Sequence, residues 1–469
     1  MKIKSALALS VLFAGAAAAQ ATPIMVTNTQ DAGDGSLRAA LAEAAATGSA
    51  SQIVIATAGD IVISETLAYD GEAPVEIIGH GQRVRTDANT HLLASTNGAS
   101  LAVSDLDFEG PGQFSVLNRG DTAGQSAGKG IFIDVRDDQS GVVDLSLHNV
   151  SVKGVANHGI HVSDCSLADD CGAGAGGGGE GSPASIRVRL HKVTVDGVGN
   201  GKFDADGLRV DERGEGDIHV TAKDSEFARV GADGLELDEG QAGSIHSTVL
   251  GTVFVDNGAY CDPALLGEHM PAQPEGEFDD GEVRETGIPG DVTGTPDDSC
   301  FEREVDLYDS GYVEAYEIGI DIDDGIDYDE AGPGDLNLTM VRSTISGNYD
   351  EGVDMDEAGA GSGNLYYIET LAYGNADDGF KMSEEDAGSV HGAMLGAVSR
   401  DNGGKGAVFE EEGPGDVRVS VTDTHTANND DSDDTGLEVV QEDGGSGELV
   451  VDASRIDDGI EAEGVTVSR

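Results

Sequence analysis

Hydrophobic residues along most of this chain come in short bursts of period two. After Gly234, "GLELD" alternates, "GSIHSTV" alternates, and the brief "TVFVDN" follows; "STISGN" plays that third part further on. Such alternation marks half-buried strands, and bursts this short leave no room for helical spacing. The pattern also repeats. Aligned on the glycine that opens each first burst, the markers are Gly207, Gly234, Gly325, Gly352, Gly379, Gly406, Gly436 and Gly459, and the steps between them are 27, 91, 27, 27, 27, 30 and 23. "KGIFIDV" around Gly130 and "HGIHVSD" around Gly159 extend the series upstream by a step of 29. Three short strands per repeat predict an all-β solenoid, the right-handed parallel β-helix, in which inward side chains stack on their equivalents one coil away. Leu235 and Leu237, Ile326 and Tyr328, and Val353 and Met355 are the expected core rungs. From residue 50 onward this allows roughly 13 coils, a rod about 60 Å long at the spacing of paired strands.

The long intervals read as insertions. The step of 91 resolves as 27 plus 27 plus an excess of 37, matching the Pro-, Gly- and acid-rich span from Cys261 to Cys300. The stretch from Gly159 to Gly207 contains "CSLADDCGAGAGGGGEGSP", a second loop. Regular coils are thus expected over 111–469, interrupted at about 163–184 and 261–300. The cysteine spacing suits disulfides, Cys165 with Cys171 and Cys261 with Cys300, better than zinc.

Segment 1–21 has the form of a secretory signal: Lys2 and Lys4, an apolar run, and small residues at Ala19 and Ala21. This predicts an exported chain, periplasmic or secreted, where disulfides persist. No later apolar run reaches the roughly 20 residues of a membrane helix. "VTNTQDAGDGSLRAALAEA" from Val26 resembles the amino-terminal cap of exported bacterial β-helix proteins, adhesins and passenger domains among them, and "VEIIGHG" and "SLAVSDLDFEG" resemble their first-coil strands. The resemblance covers residues 24 to about 110. It implies that 22–110 form a cap with a short helix closing the end of the solenoid, followed by irregular first coils. It implies fold and export but no activity, because such helices serve as adhesins, passenger domains and polysaccharide enzymes alike. No outer-membrane barrel pattern follows the repeats, which speaks against an autotransporter.

Charge narrows the partners. With 89 acidic against 26 basic residues and a net charge of -63, nucleic acid is excluded and anionic membranes are disfavoured. Low hydrophobicity with high charge would suggest disorder, yet 38% of the residues are hydrophobic and regularly placed. The 4% aromatic content suits a narrow stacked core.

A constant period turns each repeat position into a column. Four residues after the marker stand Asp211, Asp238, Asp329, Asp356, Ser383 and Glu410; one further stand Glu212, Glu239, Glu330, Glu357, Glu384 and Glu411. At the strand spacing each neighbouring carboxylate pair repels by roughly 1 kcal/mol even in water. Cations between the rungs would relieve this, and Ca2+, a hard ion with oxygen ligands in loose geometry, is the natural choice. The alternative is a solvated acidic turn with ions merely condensed around it. Asp206, Asp233, Asp324, Glu351, Asp378 and Asp458, just before the marker, are expected to accept turn amides, and Asn348, Asn375 and Asn402 to form an internal amide ladder.

One stretch is basic. "IRVRLHKV" and "IHVTAKD" place Arg187, Arg189, His191, His219 and Lys223 on one outward face, with His246 a coil further, so that Arg187, His219 and His246 form successive rungs. A uronate lyase or epimerase needs a cation for the carboxylate and a base for the C5 proton, both available here. Isolated basic residues relieving local repulsion are the other reading. Polygalacturonase, pectate-lyase and pectinesterase signatures are missing or degenerate. The sequence therefore points first to a noncatalytic, monomeric, calcium-loaded acidic rod that binds divalent cations and an extracellular polysaccharide or surface. A uronic-acid polysaccharide lyase or epimerase at the basic patch is the alternative.

Overall fold

The computed structural model describes residues 22–165, 181–271, 278–279, 281–288, 300–308, 310–429 and 435–469. Residues 1–21, expected as a signal, Cys171 and much of both predicted insertions lie outside the described residues. The regular structure of the described residues is nearly all strand, most of it stacked in parallel as a β-helix. One sheet of twelve strands runs from Leu67–Tyr69 at one end to Ile460–Glu463 at the other. Around the rest of each coil runs a larger sheet. In the first coils it is built of long bent strands such as Gly141–Lys153 and Ala184–Asp196, and further along of two short strands per coil, such as Ile218–Lys223 and Glu226–Ala228.

The bends recur at one register position. Asn149, Lys192, Asp224, Gly251, Arg342, Glu369, Gly396 and Asp423 all adopt the left-handed conformation there. Gly, Asn and Asp tolerate it, whereas at Lys192, Arg342 and Glu369 it costs on the order of 1 kcal/mol each. The stacked register holds the corner regardless.

Inward side chains form the core. Leu208, Leu235, Ile326 and Val353 lie opposite one another in successive coils, as do Val210, Leu237, Tyr328 and Met355, all fully buried. Each such side chain stabilises the rod by about 1.5–3 kcal/mol. Beside them Asn257, Asn348, Asn375, Asn402 and Asn429 form a continuous amide ladder, with Nδ2 to Oδ1 distances of 3.1, 3.0, 3.0 and 2.8 Å. At the amino-terminal end the helix Leu37–Thr47 is capped by Ser36, whose Oγ accepts the Ala39 amide, and ends at left-handed Gly48. Its buried Leu37, Ala40, Leu41 and Ala44 belong to the same core as the coils.

The register corrects one expectation. Leu235 pairs directly with Ile326, so the long step from Gly234 to Gly325 contains a single coil and a longer excursion. The alternation in "YVEAYEIGI" is not another coil. It forms an antiparallel hairpin, Phe301–Leu307 with Val313–Ile320, after the Cys261–Cys300 disulfide. Tyr260, Cys261, Leu266, Cys300 and Phe301 make a second small core with Val116, backed by Phe203, Met270, Ile318 and Ile320. Three excursions from the helix thus pack on one another beside it.

Candidate functional site

Consecutive residues of a strand leave on opposite sides, and this parity separates the two acidic columns. Val353–Glu357 shows it as an alternation of buried and half-buried residues, with Val353, Met355 and Glu357 inside and Asp354 and Asp356 outside. Glu212, Glu239, Glu330, Glu357, Glu384 and Glu411 are therefore stacked inside, all fully buried. Each carboxyl folds back over the turn that follows its strand. Glu239 Oε1 accepts the Gly243 amide at 3.0 Å, Glu357 Oε1 that of Gly361 at 3.0 Å, and Glu384 Oε1 that of Gly388 at 2.7 Å. Neighbouring carboxyls crowd one another, and oxygens of Glu212, Glu330, Glu357, Glu384 and Glu411 are buried with no other donor, so a proton shared between rungs is the partner their stacking calls for. Burial first, then these contacts, pushes Glu212 and Glu357 up to about 10 and Glu239 and Glu411 up to about 8. Asp164 closes the column at one end and Gln441, whose amide needs no shared proton, at the other. The expectation that these six glutamates adjoin the aspartates as surface cation ligands is corrected: they face the opposite way.

Outside, three columns cover the twelve-stranded sheet. One carries Lys129, His158, Asp206, Asp233, Asp324 and Glu351, the next Phe132, His161, Arg209, Glu236, Asp327 and Asp354, and the third Asp134, Ser163, Asp211, Asp238, Asp329 and Asp356. The face thus turns from basic to acidic along the axis. At the basic end a chain of contacts forms: Lys129 Nζ to His161 Nδ1 at 2.7 Å, His161 Nε2 to Asp211 Oδ2 at 2.6 Å, and Arg209 Nε to Asp211 Oδ1 at 2.8 Å. It continues from Arg209 Nη2 to Asp238 Oδ2 at 2.6 Å, where Arg213 Nη2 also arrives at 2.8 Å, while Arg209 Nη1 meets Glu236 at 2.6 Å. Lys129, His161, Arg209 and Arg213 are all buried. Burial and the adjacent Lys129 lower His161 to about 4, so the neutral ring accepts from Lys129 and donates to Asp211. His158 Nδ1 accepts the Asp206 amide at 2.9 Å and burial keeps this ring neutral too, so the nearby Asp206 carboxylate is not an ion-pair partner. Asp211 and Asp238, expected as metal ligands, are instead matched by side-chain cations.

Further along, carboxylates outnumber cations. Asp324, Asp327, Asp329, Glu351, Asp354 and Asp356 share the face with Lys381, whose Nζ lies 2.8 Å from Asp354 and 3.3 Å from Glu351. Burial and the neighbouring carboxylates push Asp324, Asp327 and Asp329 well above the ordinary aspartate range, and Asp356 to about 7. Glu410 stays outward and half-buried in the same column as Asp356, with Ser383 between them.

The predicted basic patch lies elsewhere, on the outer face of the larger sheet. Arg187, His219 and His246 are successive rungs, and the two imidazoles stack at 5.0 Å. Arg189 and Arg187 reach Asp144 at 3.0 and 3.7 Å, His219 lies 3.7 Å from Asp217, and Lys223 stands exposed at its strand end. These groups stay spread over a sheet face, with local aspartates as partners. Sequence reasoning missed the convergent set Lys129, His158, His161, Arg209 and Arg213. Its signal was present as departures from the repeat: Lys129 and His158 stand where later coils carry an acid, and His161 and Arg209 where later coils carry Glu236 and Asp327.

Beside this face is a groove of about 810 Å³ lined by Phe114, Asn200, Arg229, Asp256, Tyr349 and Ala376, among others. Its floor follows the helix axis, since Gly197, Arg229, Asp256 and Gly347 occupy one corner position in four successive coils. Tyr349 and Ala376 lead directly into Asp350–Glu351 and Asp377–Asp378.

No protein-family model and no curated protein matches the chain. Among solved structures it is similar to the pectate lyase Pel9A, with a TM-score of 0.39 and 11% identity over 96% of this chain and 80% of that one. It is also similar to tailspike protein 2 of Escherichia coli O157:H7 bacteriophage CAB120, with a TM-score of 0.38 and 12% identity, covering 86% of this chain and 43% of the tailspike. Likeness this slight carries no argument about ligand or reaction.

Proposed function

We propose that the protein is a noncatalytic binder of an extracellular polysaccharide, held in the groove along the side of the β-helix. One observation carries this reading: the groove crosses four coils, on the order of 14 Å at the strand spacing, and combines two aromatic rings with amide and charged side chains. A linear chain of polar rings fits that lining. Its C–H faces pack on Phe114 and Tyr349 while its hydroxyls meet Asn200, Arg229 and Asp256. Titration of the full chain with alginate, polygalacturonate and a neutral glucan should give saturable heat for at least one polymer. Tyr349→Ala and Phe114→Ala should each weaken it about tenfold. Binding that both variants leave unchanged would sink the reading.

A second reading, a uronate lyase or epimerase, is supported by the convergence of Lys129, His161, Asp211 and Arg209 in place of the dispersed basic patch. It stands second because the array is buried and its arginines are already matched by carboxylates. Polyuronate incubated with the protein would decide it: appearance of the ultraviolet absorbance of an unsaturated uronate, abolished in Lys129→Ala, would put the enzyme reading first.

A further inference from the structure

In the column before the marker glycine, each carboxylate normally serves the next coil. Asp206 Oδ1 accepts the Asp233 amide at 3.2 Å, Asp233 Oδ1 accepts that of Asp324 at 2.5 Å, and Asp378 Oδ1 accepts that of Lys405. Asp324 and Glu351 depart from the series, Glu351 accepting from Lys381 instead. The Asp324 Oδ1 is buried without a hydrogen-bond partner, in a residue only 8% exposed. An unpartnered buried carboxylate oxygen is costly and asks for a proton or a cation, and here other carboxylates converge on it.

The surroundings supply the other ligands. Oxygens of Asp324, Glu351 and Asp354 all lie within 4.8 Å of one another, drawn from two adjacent coils. Asp327 pairs with Asp354 in the adjoining column and adds negative charge nearby. Against these stands Lys381, whose ammonium reaches Glu351 and Asp354. We propose that Asp324, Glu351 and Asp354 bind a hard divalent cation, Ca2+, with Lys381 as the competing internal cation. All the donors are carboxylate oxygens, the set a hard ion prefers, and Ca2+ tolerates their unequal spacing better than Mg2+ does. The site differs from the simple columns: it needs the pre-glycine carboxylate and an outward strand residue together, and so forms where Asp or Glu fills both positions without an arginine.

The test is calorimetric titration of the chelator-treated full chain with CaCl2 at physiological ionic strength. Wild type should show one saturable site above any diffuse binding. Asp324→Asn, nearly isosteric, should weaken it about tenfold or more, and Glu351→Gln likewise. Lys381→Met should tighten it, because the competing ammonium is gone. The inner-face variant Glu411→Gln should leave it unchanged. Binding that is unsaturable, or equally strong in Asp324→Asn and Glu351→Gln, overturns the site, as does weakening by Lys381→Met. Polysaccharide binding is not read in this titration, so either proposal can fail alone.

Discussion

Two columns of carboxylates, one residue apart in sequence, live in opposite worlds. Asp211, Asp238, Asp329 and Asp356 face outward, and their charge is met by Arg209 and Arg213 at one end and shared with Lys381 and other acids further along. Glu212, Glu239, Glu330, Glu357, Glu384 and Glu411 face inward, where turn amides and shared protons hold them. The outer column varies, admitting Ser383 and Glu410, whereas the inner one keeps glutamate through six coils. Crowded carboxylates can therefore be stabilised by a cation or by a proton. On the inner side it is a proton; on the outer side Arg209 and Arg213 serve Asp211 and Asp238, while the more crowded Asp327, Asp329 and Asp356 are themselves raised toward protonation.

The comparison breaks most sharply at its best-matched point. Arg209→Met leaves Asp211, Glu236 and Asp238 buried with a lost partner and should cost about 3–5 kcal/mol in chemical denaturation at neutral pH. A loss below about 1 kcal/mol would show that the arginine does not carry the outer column's charge.

The inner column should respond to pH instead. Its raised carboxyls hold protons in the folded chain that the unfolded chain releases, so their stability is fully present below the ordinary glutamate range. It is lost as pH rises toward about 8 for Glu239 and Glu411 and about 10 for Glu212 and Glu357. Each such proton contributes a slope of about 1.4 kcal/mol per pH unit. Glu357→Gln imitates the rung at Gln441 and should flatten the alkaline fall by one proton's share, seen in denaturation curves from pH 5 to pH 9. Equal slopes in the two proteins would refute proton sharing at Glu357.

The smallest effect belongs to the exposed face of the larger sheet. Arg189→Ala removes a half-exposed ion pair with Asp144 and should change stability by less than about 0.5 kcal/mol. A larger loss would mean that this patch is more than local charge balance.

The sites were unequally legible. The inner rungs from Leu208 to Val353 follow from period two and a constant repeat, and the amide ladder at Asn348, Asn375 and Asn402 from the same spacing. The same rule, carried two residues further, would have placed Glu357 inside with Met355, but the run of charge obscured the parity. The array of Lys129, His161 and Arg209 was less accessible. Its members come from three coils separated by unequal steps, the second of them lengthened by an insertion, and only their departure from the repeat marks them. The hairpin Phe301–Leu307 with Val313–Ile320 imitates a coil in its alternation, and hydrogen-bonding partners, not pattern, distinguish the two.

By itself the sequence determined the parallel β-helix and the identity of its columns, because a side-chain period of two within a constant repeat leaves inward positions nothing else to stack on. Only the tertiary structure decided what each column does. The excursions that pack beside the helix, the arginines that reach across coils, and the Asp324 oxygen left without an amide depend on distances between coils that no local pattern encodes.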